Sequence, residues 1–306
     1  MQGPVVVLGC SGAIGQRITS MALESGQEVH GFKGNNPCNF NSNFHKCKNI
    51  NLLTDSIYDD LKKIQARTLI HSAWITKPGD YLNSPENQIW INKSEELIEA
   101  FFEFGGENLL VTGTCAEYSW EGQNNLKEDS DNEFPNSIYG QSKLALLDWL
   151  RFSGYPFLWT RTFFQYGEKN DSERLIPYLL NSLIESEKCI IRGANEVRDF
   201  VFIDDVANAM FSLINTGAEG VVNIGSGQGI LLENLAALMS RIIGKTNLIQ
   251  LDYIEEPRIV VSDQNRFNSF LPDFQFRSIE SGLQEMANYR RNNLRDKTKS
   301  NGSGND

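Results

Sequence analysis

The stretch VVVLGCSGAIG, residues 5–15, decides how this sequence folds. Pro4 to Leu8 is a short, β-branched apolar run that stops at a glycine, which reads as a strand. From Ala13 onward the apolar positions Ile14, Ile18, Met21 and Ala22 recur at helical spacing. Between strand and helix stand Gly9, Gly12 and Gly15, in a G-x-x-G-x-x-G pattern. A turn this tight needs backbone without Cβ, a phosphate can then approach free N–H groups at the helix N-terminus, and the last glycine lets helix and strand pack closely. The loop Gly9, Ser11, Gly12, Ala13, Ile14 and Gly15 is therefore a candidate pyrophosphate cradle of a dinucleotide.

Outward from this loop the same rhythm repeats. Gln27–Phe32 reads as a second strand, Lys33–Cys47 as an Asn- and Gly-rich loop, Lys48–Leu52 as a strand and Asp55–Ile64 as a helix. Strands at Thr68–Ser72, Asn108–Thr112 and Pro156–Thr160 alternate with helices at 86–104 and 139–152. Such alternation predicts an α/β fold, a doubly wound parallel sheet covered on both faces, over residues 1–165. Beyond about residue 165 the rhythm loosens. Helices are expected at 173–186, 204–215, 231–243 and 278–291, with short strands at 188–191, 199–203 and 221–224. Residues 166–291 then form a smaller, mixed C-terminal lobe closing over the sheet's carboxyl edge, where open α/β sheets bind ligands, with 199–225 returning to the first domain. The segment 292–306 is almost without apolar residues and is expected to be disordered.

A net charge of -11, from 28 Lys+Arg against 39 Asp+Glu, repels nucleic acid and anionic membranes. No apolar run approaches the ~20 residues of a membrane span. The five cysteines are an odd number and scattered, which fits free thiols in a reducing cytoplasm. Cys38…His45-x-Cys47 has no second ligand pair at finger-like spacing and reads as a polar loop, so no metal is expected.

Two further features bear on chemistry. The second strand ends at Lys33, where a NAD site usually places a carboxylate for the ribose hydroxyls, and none follows before Asp55. A cation there suits a 2′-phosphate, so NADP is preferred to NAD. In Tyr139-Gly-Gln-Ser-Lys143 the phenol and the ammonium are four apart and share a helix face. A phenol of pKa ~10 is a poor acid–base at neutral pH unless a nearby cation favours the phenolate. A Ser or Thr hydroxyl on the preceding strand would complete a proton-transfer site.

With these motifs in place the chain resembles the extended short-chain dehydrogenases/reductases, in the NAD(P)-dependent sugar-nucleotide epimerase/dehydratase family. The likeness runs to about residue 290 through Gly9/Gly12/Gly15, His71-Ser-Ala73, Gly113-Thr114…Tyr118, Tyr139…Lys143, Arg161…Tyr166-Gly167, Arg198-Asp199-Phe…Asp204-Asp205-Val and Asn223-Ile-Gly-Ser-Gly227. It implies a Rossmann-like first domain and the roles of catalytic hydroxyl for Thr114, acid–base for Tyr139 and ribose-binding lysine for Lys143. Ala73 and Trp74 would line the cofactor. Tyr118, Phe164 and Arg198 would meet a nucleotide-sugar substrate, with Arg198 on its phosphate. Phe164 departs from the asparagine that many relatives carry there. Dehydratases of the family follow the catalytic Thr with Asp and Glu, whereas here Cys115 and Ala116 follow, and Glu117 falls one residue out of register on a strand. This argues against 4,6-dehydration. Reduction of a 4-keto sugar nucleotide is the leading expectation; an NAD-dependent epimerase and a non-catalytic cofactor-binding relative stay open. The resemblance also implies a homodimer formed through the helices at 86–104 and 139–152.

Overall fold

The computed structural model describes residues 3–302 except 38, 39, 41–44, 76, 78, 123, 124, 131 and 168–173. In chain order its elements are β1 (Val5–Leu8), α1 (Ala13–Glu24), β2 (Val29–Lys33), β3 (His45–Asn49), α2 (Tyr58–Ile64), β4 (Thr68–His71), α3 (Glu86–Glu103) and β5 (Asn108–Thr114). A turn of 3₁₀ helix (Cys115–Glu117) separates β5 from α4 (Ile138–Ser153), followed by β6 (Leu158–Thr162), β7 (Phe164–Tyr166), α5 (Leu175–Glu185), β8 (Cys189–Arg192) and β9 (Val197–Phe202). The chain continues through α6 (Ile203–Thr216), β10 (Gly220–Ile224), β11 (Gly229–Leu231), α7 (Leu232–Ile243), β12 (Ile249–Asp252), β13 (Ile259–Val260), α8 (Asn265–Phe270) and α9 (Ile279–Gly302).

Seven strands form one sheet in the order β10-β6-β5-β4-β1-β2-β3, every neighbour pair parallel. The run Val5–Leu8 shows why both faces are covered. Val5 and Val7 pack in the core shared with α1 and α6, while Val6 and Leu8 pack in the core shared with α2, α3 and α4. All four are 0% exposed, so no polar residue could alternate into this strand. This is the Rossmann-like α/β fold that the alternation of elements predicts.

A four-stranded sheet, β11-β9-β13 with β7 also paired to β9, carries the second lobe, and β8 pairs with β12 beside it. Its core gathers Leu179, Leu180 and Leu183 of α5, Leu235 and Met239 of α7, and Leu283 and Met286 of α9. The chain returns to the large sheet through α6, which lies on α1, and β10, which extends the sheet beyond β6. One carboxylate fastens the small sheet's centre: buried Asp199 of β9 accepts from the backbone N–H groups of Ser226, Gly227 and Ser262 at 2.9, 3.0 and 3.2 Å.

Six elements, β3, β7, β11, β12, β13 and α9, differ from the sequence reading. β3 begins at His45, inside the stretch read as loop, because its register on β2 (Val29↔His45 to Lys33↔Asn49) is set by the neighbouring strand rather than by its own polar side chains. β7 and β11–β13 are too short to carry a periodicity. Finally, α9 runs from Ile279 to Gly302, past the helix end expected at 291.

Candidate active site

The glycine loop builds the first wall. Gly9 takes a left-handed φ of +81°, and its carbonyl accepts from Gly12 N at 2.8 Å, closing the turn. A Cβ on Gly15 would stand 2.1 Å from that same carbonyl oxygen, so only glycine lets α1 start this close to the turn. The N-terminus of α1 then faces a cleft of about 810 Å³ along the carboxyl edge of the large sheet. Gly9, Ser11, Gly12, Ala13, Ile14, Gly15, Ala73, Trp74, Tyr139 and Lys143 all line it. Two buried polar atoms facing this cleft, Thr112 Oγ1 and Gln165 Oε1, have no partner within the protein. Their presence with an anion-seeking helix end fits a bound dinucleotide.

Lys33 is the exception. It ends β2 as expected, but its Nζ donates to Asn36 O at 2.9 Å and it does not line the cleft. That end of the cleft is walled by Asn35, Asn36, Asn49, Asn51 and Asp55. Asp55 is itself braced, accepting from Asn51 N at 3.1 Å and from the Thr54 hydroxyl at 3.0 Å. The half-buried lysine is held on the Asn36 carbonyl, while Asp55, from the loop after β3, is among the residues that line the cleft.

At the other end, α4 starts from Ser137, whose hydroxyl accepts from Gly140 N, and Tyr139 N donates to Leu82 O at 2.9 Å. This sets Tyr139 against Tyr81 edge-on, with ring centroids 5.1 Å apart, and within reach of a hydrogen bond with the Thr114 side chain. One turn on, Lys143 is 2% exposed, its Nζ donating to Thr112 O at 2.9 Å and lying 3.7 Å from the centre of the Trp74 ring. Burial lowers the Lys143 pKa to about 7, against the partial opposition of Glu117. Burial pushes the Tyr139 phenol up, and Tyr81 adds to this while the Thr114 bond opposes it. In the protein alone, then, the lysine does not depress the tyrosine as the spacing suggested: desolvation acts on both groups and outweighs their attraction.

The floor beneath this pair is rigid. Residues 115–117 turn into a 3₁₀ helix instead of continuing β5, and Thr114 and Glu117 form a reciprocal capping box. Glu117, 0% exposed, accepts from Thr114 N at 2.8 Å, Trp159 Nε1 at 3.1 Å and Arg161 Nε at 2.6 Å. Arg161 also reaches Glu133. Burial alone would lower the Arg161 pKa, but Glu117 overrides it and raises it. Glu117 is thus turned away from the reaction space by helical geometry rather than by strand alternation. Cys115 is buried among apolar groups, which pushes its thiol up and makes it a poor nucleophile.

A second chamber of about 280 Å³ opens beside the first, sharing Tyr139, Thr162, Gln165 and Arg174 with it. Thr114, Phe164 and Arg198 line this chamber. Arg198 pairs with Glu196 at 2.6 Å, and its guanidinium lies 5.1 Å from the Phe164 ring centre. Tyr118 does not belong here. It is 2% exposed, donates to Asn223 Oδ1 at 2.9 Å and stacks under the Arg161 guanidinium at 4.3 Å, a bracing role inside the core rather than contact with a ligand. Sequence reasoning missed Tyr81, Trp120, Gln165 and Arg174, which line the chamber from loops and short strands without periodic signal.

Fold and site together define a dinucleotide-dependent enzyme in which one phenol sits where cofactor cleft and substrate chamber meet. Residues 5–225 match the model of the NAD dependent epimerase/dehydratase family, and the chain belongs to that family. It is 28% identical over 158 residues to the dTDP-D-glucose 4,6-dehydratase of Mus musculus, covering 49% of this chain but only 44% of that protein. The UDP-glucuronate 4-epimerase of Thermodesulfobacterium geofontis is 23% identical with 95% of this chain and 97% of that one covered. In structure, the dTDP-glucose 4,6-dehydratase of Bacillus anthracis, solved in complex with NAD, superposes with a TM-score of 0.81 at 19% identity over 95% and 97% of the two chains. Among the described residues, no helix is long and apolar enough to cross a membrane.

Proposed function

We propose that this chain is a nucleotide-sugar epimerase that holds NAD throughout its cycle, oxidising one hexose carbinol and re-reducing it from the other face. The observation that carries the reading is the pair of ends of the cofactor cleft: an intact Thr114/Tyr139/Lys143 constellation at one, and Asp55 with four asparagines, not Lys33, at the other. A carboxylate suits ribose hydroxyls and disfavours a 2′-phosphate. The leaning toward NADP loses its support with Lys33, and the reductase reading keeps only the missing Asp-Glu pair after Thr114.

Bound NAD supplies the hydride acceptor and later donor, and the positive charge of its oxidised ring favours the Tyr139 phenolate. Tyr139 takes the carbinol proton and returns it after the ketone has turned over. Thr114 holds the substrate oxygen, and Lys143 braces the cofactor's ribose. Trp120, Phe164, Ile176, Pro177 and Phe200 form the apolar part of the chamber wall, facing a keto-hexose beside the polar side chains of Thr114, Tyr139, Gln165 and Arg198. Arg198 anchors the nucleotide diphosphate. No dehydration step is assigned to this chain, because Cys115 and Ala116 follow Thr114 and Glu117 is bonded to Arg161. The protein is further proposed to dimerise through α3 and α4, which pack together and leave Ile89 and Phe152 exposed; a monomer in light scattering would overturn that.

The test is to identify the nucleotide released on denaturing the purified protein, then to incubate the protein with UDP-glucuronate, UDP-glucose and dTDP-glucose without added cofactor. Stoichiometric NAD and a C4-inverted product support the proposal. NADPH consumption with a keto substrate would establish the reductase instead, and a product lighter by one water would establish a dehydratase.

A further inference from the structure

On the side of the glycine turn away from the cleft, three side chains that share no catalytic role converge. Cys10 comes from the turn itself, and His45 and Cys47 come from β3, two residues apart and hence on one face of the strand. The sulfurs of Cys10 and Cys47 are 3.7 Å apart, and all three ligand atoms lie within 4.8 Å of one another. His45 Nε2 is buried without a hydrogen-bond partner. The space between them is kept open by Gly31, which pairs with Cys47 across the sheet. A Cβ at Gly31 would come 2.5 Å from Cys10 Sγ and 3.2 Å from His45 Nε2.

Two sulfurs on one tetrahedral zinc, each about 2.3 Å from the metal, stand roughly 3.8 Å apart. A disulfide would bring them to about 2.05 Å. We infer that Cys10, His45 and Cys47 form a binding site for a zinc-class divalent ion, with water completing a tetrahedron. An orphaned imidazole nitrogen and two thiols are the donor set such an ion selects over magnesium or calcium. Binding replaces the two thiol protons, so each ion releases two protons and the site carries no net charge. Sequence spacing could not show the site, because Cys10 lies 35 residues before His45; Cys38, the partner that spacing suggested, lies outside the described residues. The ion would fasten β3, an edge strand with four of its five residues exposed, to the turn that cradles the cofactor phosphates.

The experiment uses the full chain, reduced and freed of metal with a chelator, and titrates it with Co²⁺ and then Zn²⁺. The expected result is one Co²⁺ per chain with a thiolate-to-cobalt charge-transfer absorption that Zn²⁺ abolishes, and a rise in unfolding temperature with Zn²⁺. Cys47→Ser, at an exposed position that the fold does not need, and His45→Ala should each weaken the ion's affinity at least tenfold and remove the thermal shift. Absence of the absorption at one equivalent, or unchanged affinity in both variants, would overturn the inference. So would a Cys10–Cys47 disulfide, found by mass spectrometry, as the only state of the pair.

Discussion

The carboxyl ends of β5 and β2 belong to one sheet and border one cleft, yet they behave as different materials. At the end of β5 all but the Thr112 hydroxyl of these polar groups are committed: Thr114 caps a turn, Glu117 accepts from Thr114, Trp159 and Arg161, and Lys143 is enclosed by Trp74 and Thr112. At the end of β2, Lys33 rests on a neighbouring carbonyl and the wall is asparagine-rich loop. The first end fixes its side chains by burial and reciprocal bonds, while the second is a wall of polar loop side chains.

The contrast can be broken by mutation, beginning with the largest effect. Tyr139→Phe should lower turnover of nucleotide sugar by about 10²–10⁴-fold, with NAD content unchanged; steady-state rates at saturating substrate, beside a nucleotide assay, test this. Near-normal turnover would remove the phenol from the mechanism. Glu117→Ala leaves Arg161 buried with half its partners and should destabilise the fold by about 3–5 kcal/mol, read from denaturant midpoints. A loss below about 1 kcal/mol, the range of an exposed ion pair, would mean that the β5 end is no more rigid than the β2 end.

The third expectation concerns pH. Because burial lowers the Lys143 pKa to about 7, the native protein binds fewer protons than the unfolded chain between there and the ordinary lysine value of ~10.4. Stability contributed by this group therefore rises with pH over that window and is constant below it. Lys143→Met abolishes the effect, so the variant should gain on the parent as pH falls from about 10 to about 7. Unfolding both proteins across that range, without cofactor, measures it; parallel curves would show that Lys143 is not desolvated. The smallest effect is at the opposite end: Lys33→Ala should change NAD affinity less than about threefold, under ~0.7 kcal/mol, by the arithmetic of affinities. A much larger loss of affinity, confined to NADP, would restore the 2′-phosphate reading.

Which features were legible follows from what fixes each side chain. The loop at Gly9, Gly12 and Gly15 and the pair Tyr139/Lys143 were readable because backbone geometry alone, a Cβ-free turn and a shared helix face, dictates where those residues go. The bond of Lys33 to Asn36 O was not legible, because a long side chain is not placed by its position in sequence. Tyr118 was misread because its neighbour Glu117 turns the chain into a 3₁₀ helix, carrying the phenol under Arg161 and away from the chamber. The pKa of Tyr139 needed burial, which spacing does not report.

By itself, then, the sequence determined the alternating strands and helices, the parallel sheet that buries both faces of Val5–Leu8, and the shared helix face of Tyr139 and Lys143, because periodicity and local backbone constraint act within a few residues; the role proposed for Thr114 came from the family resemblance. Tertiary structure alone decided what lies at the ribose end of the cleft, which arginine braces and which faces the chamber, and the meeting of Cys10 with His45 and Cys47. Those outcomes depend on the register of strands far apart in the chain and on desolvation, neither of which any local stretch of residues encodes.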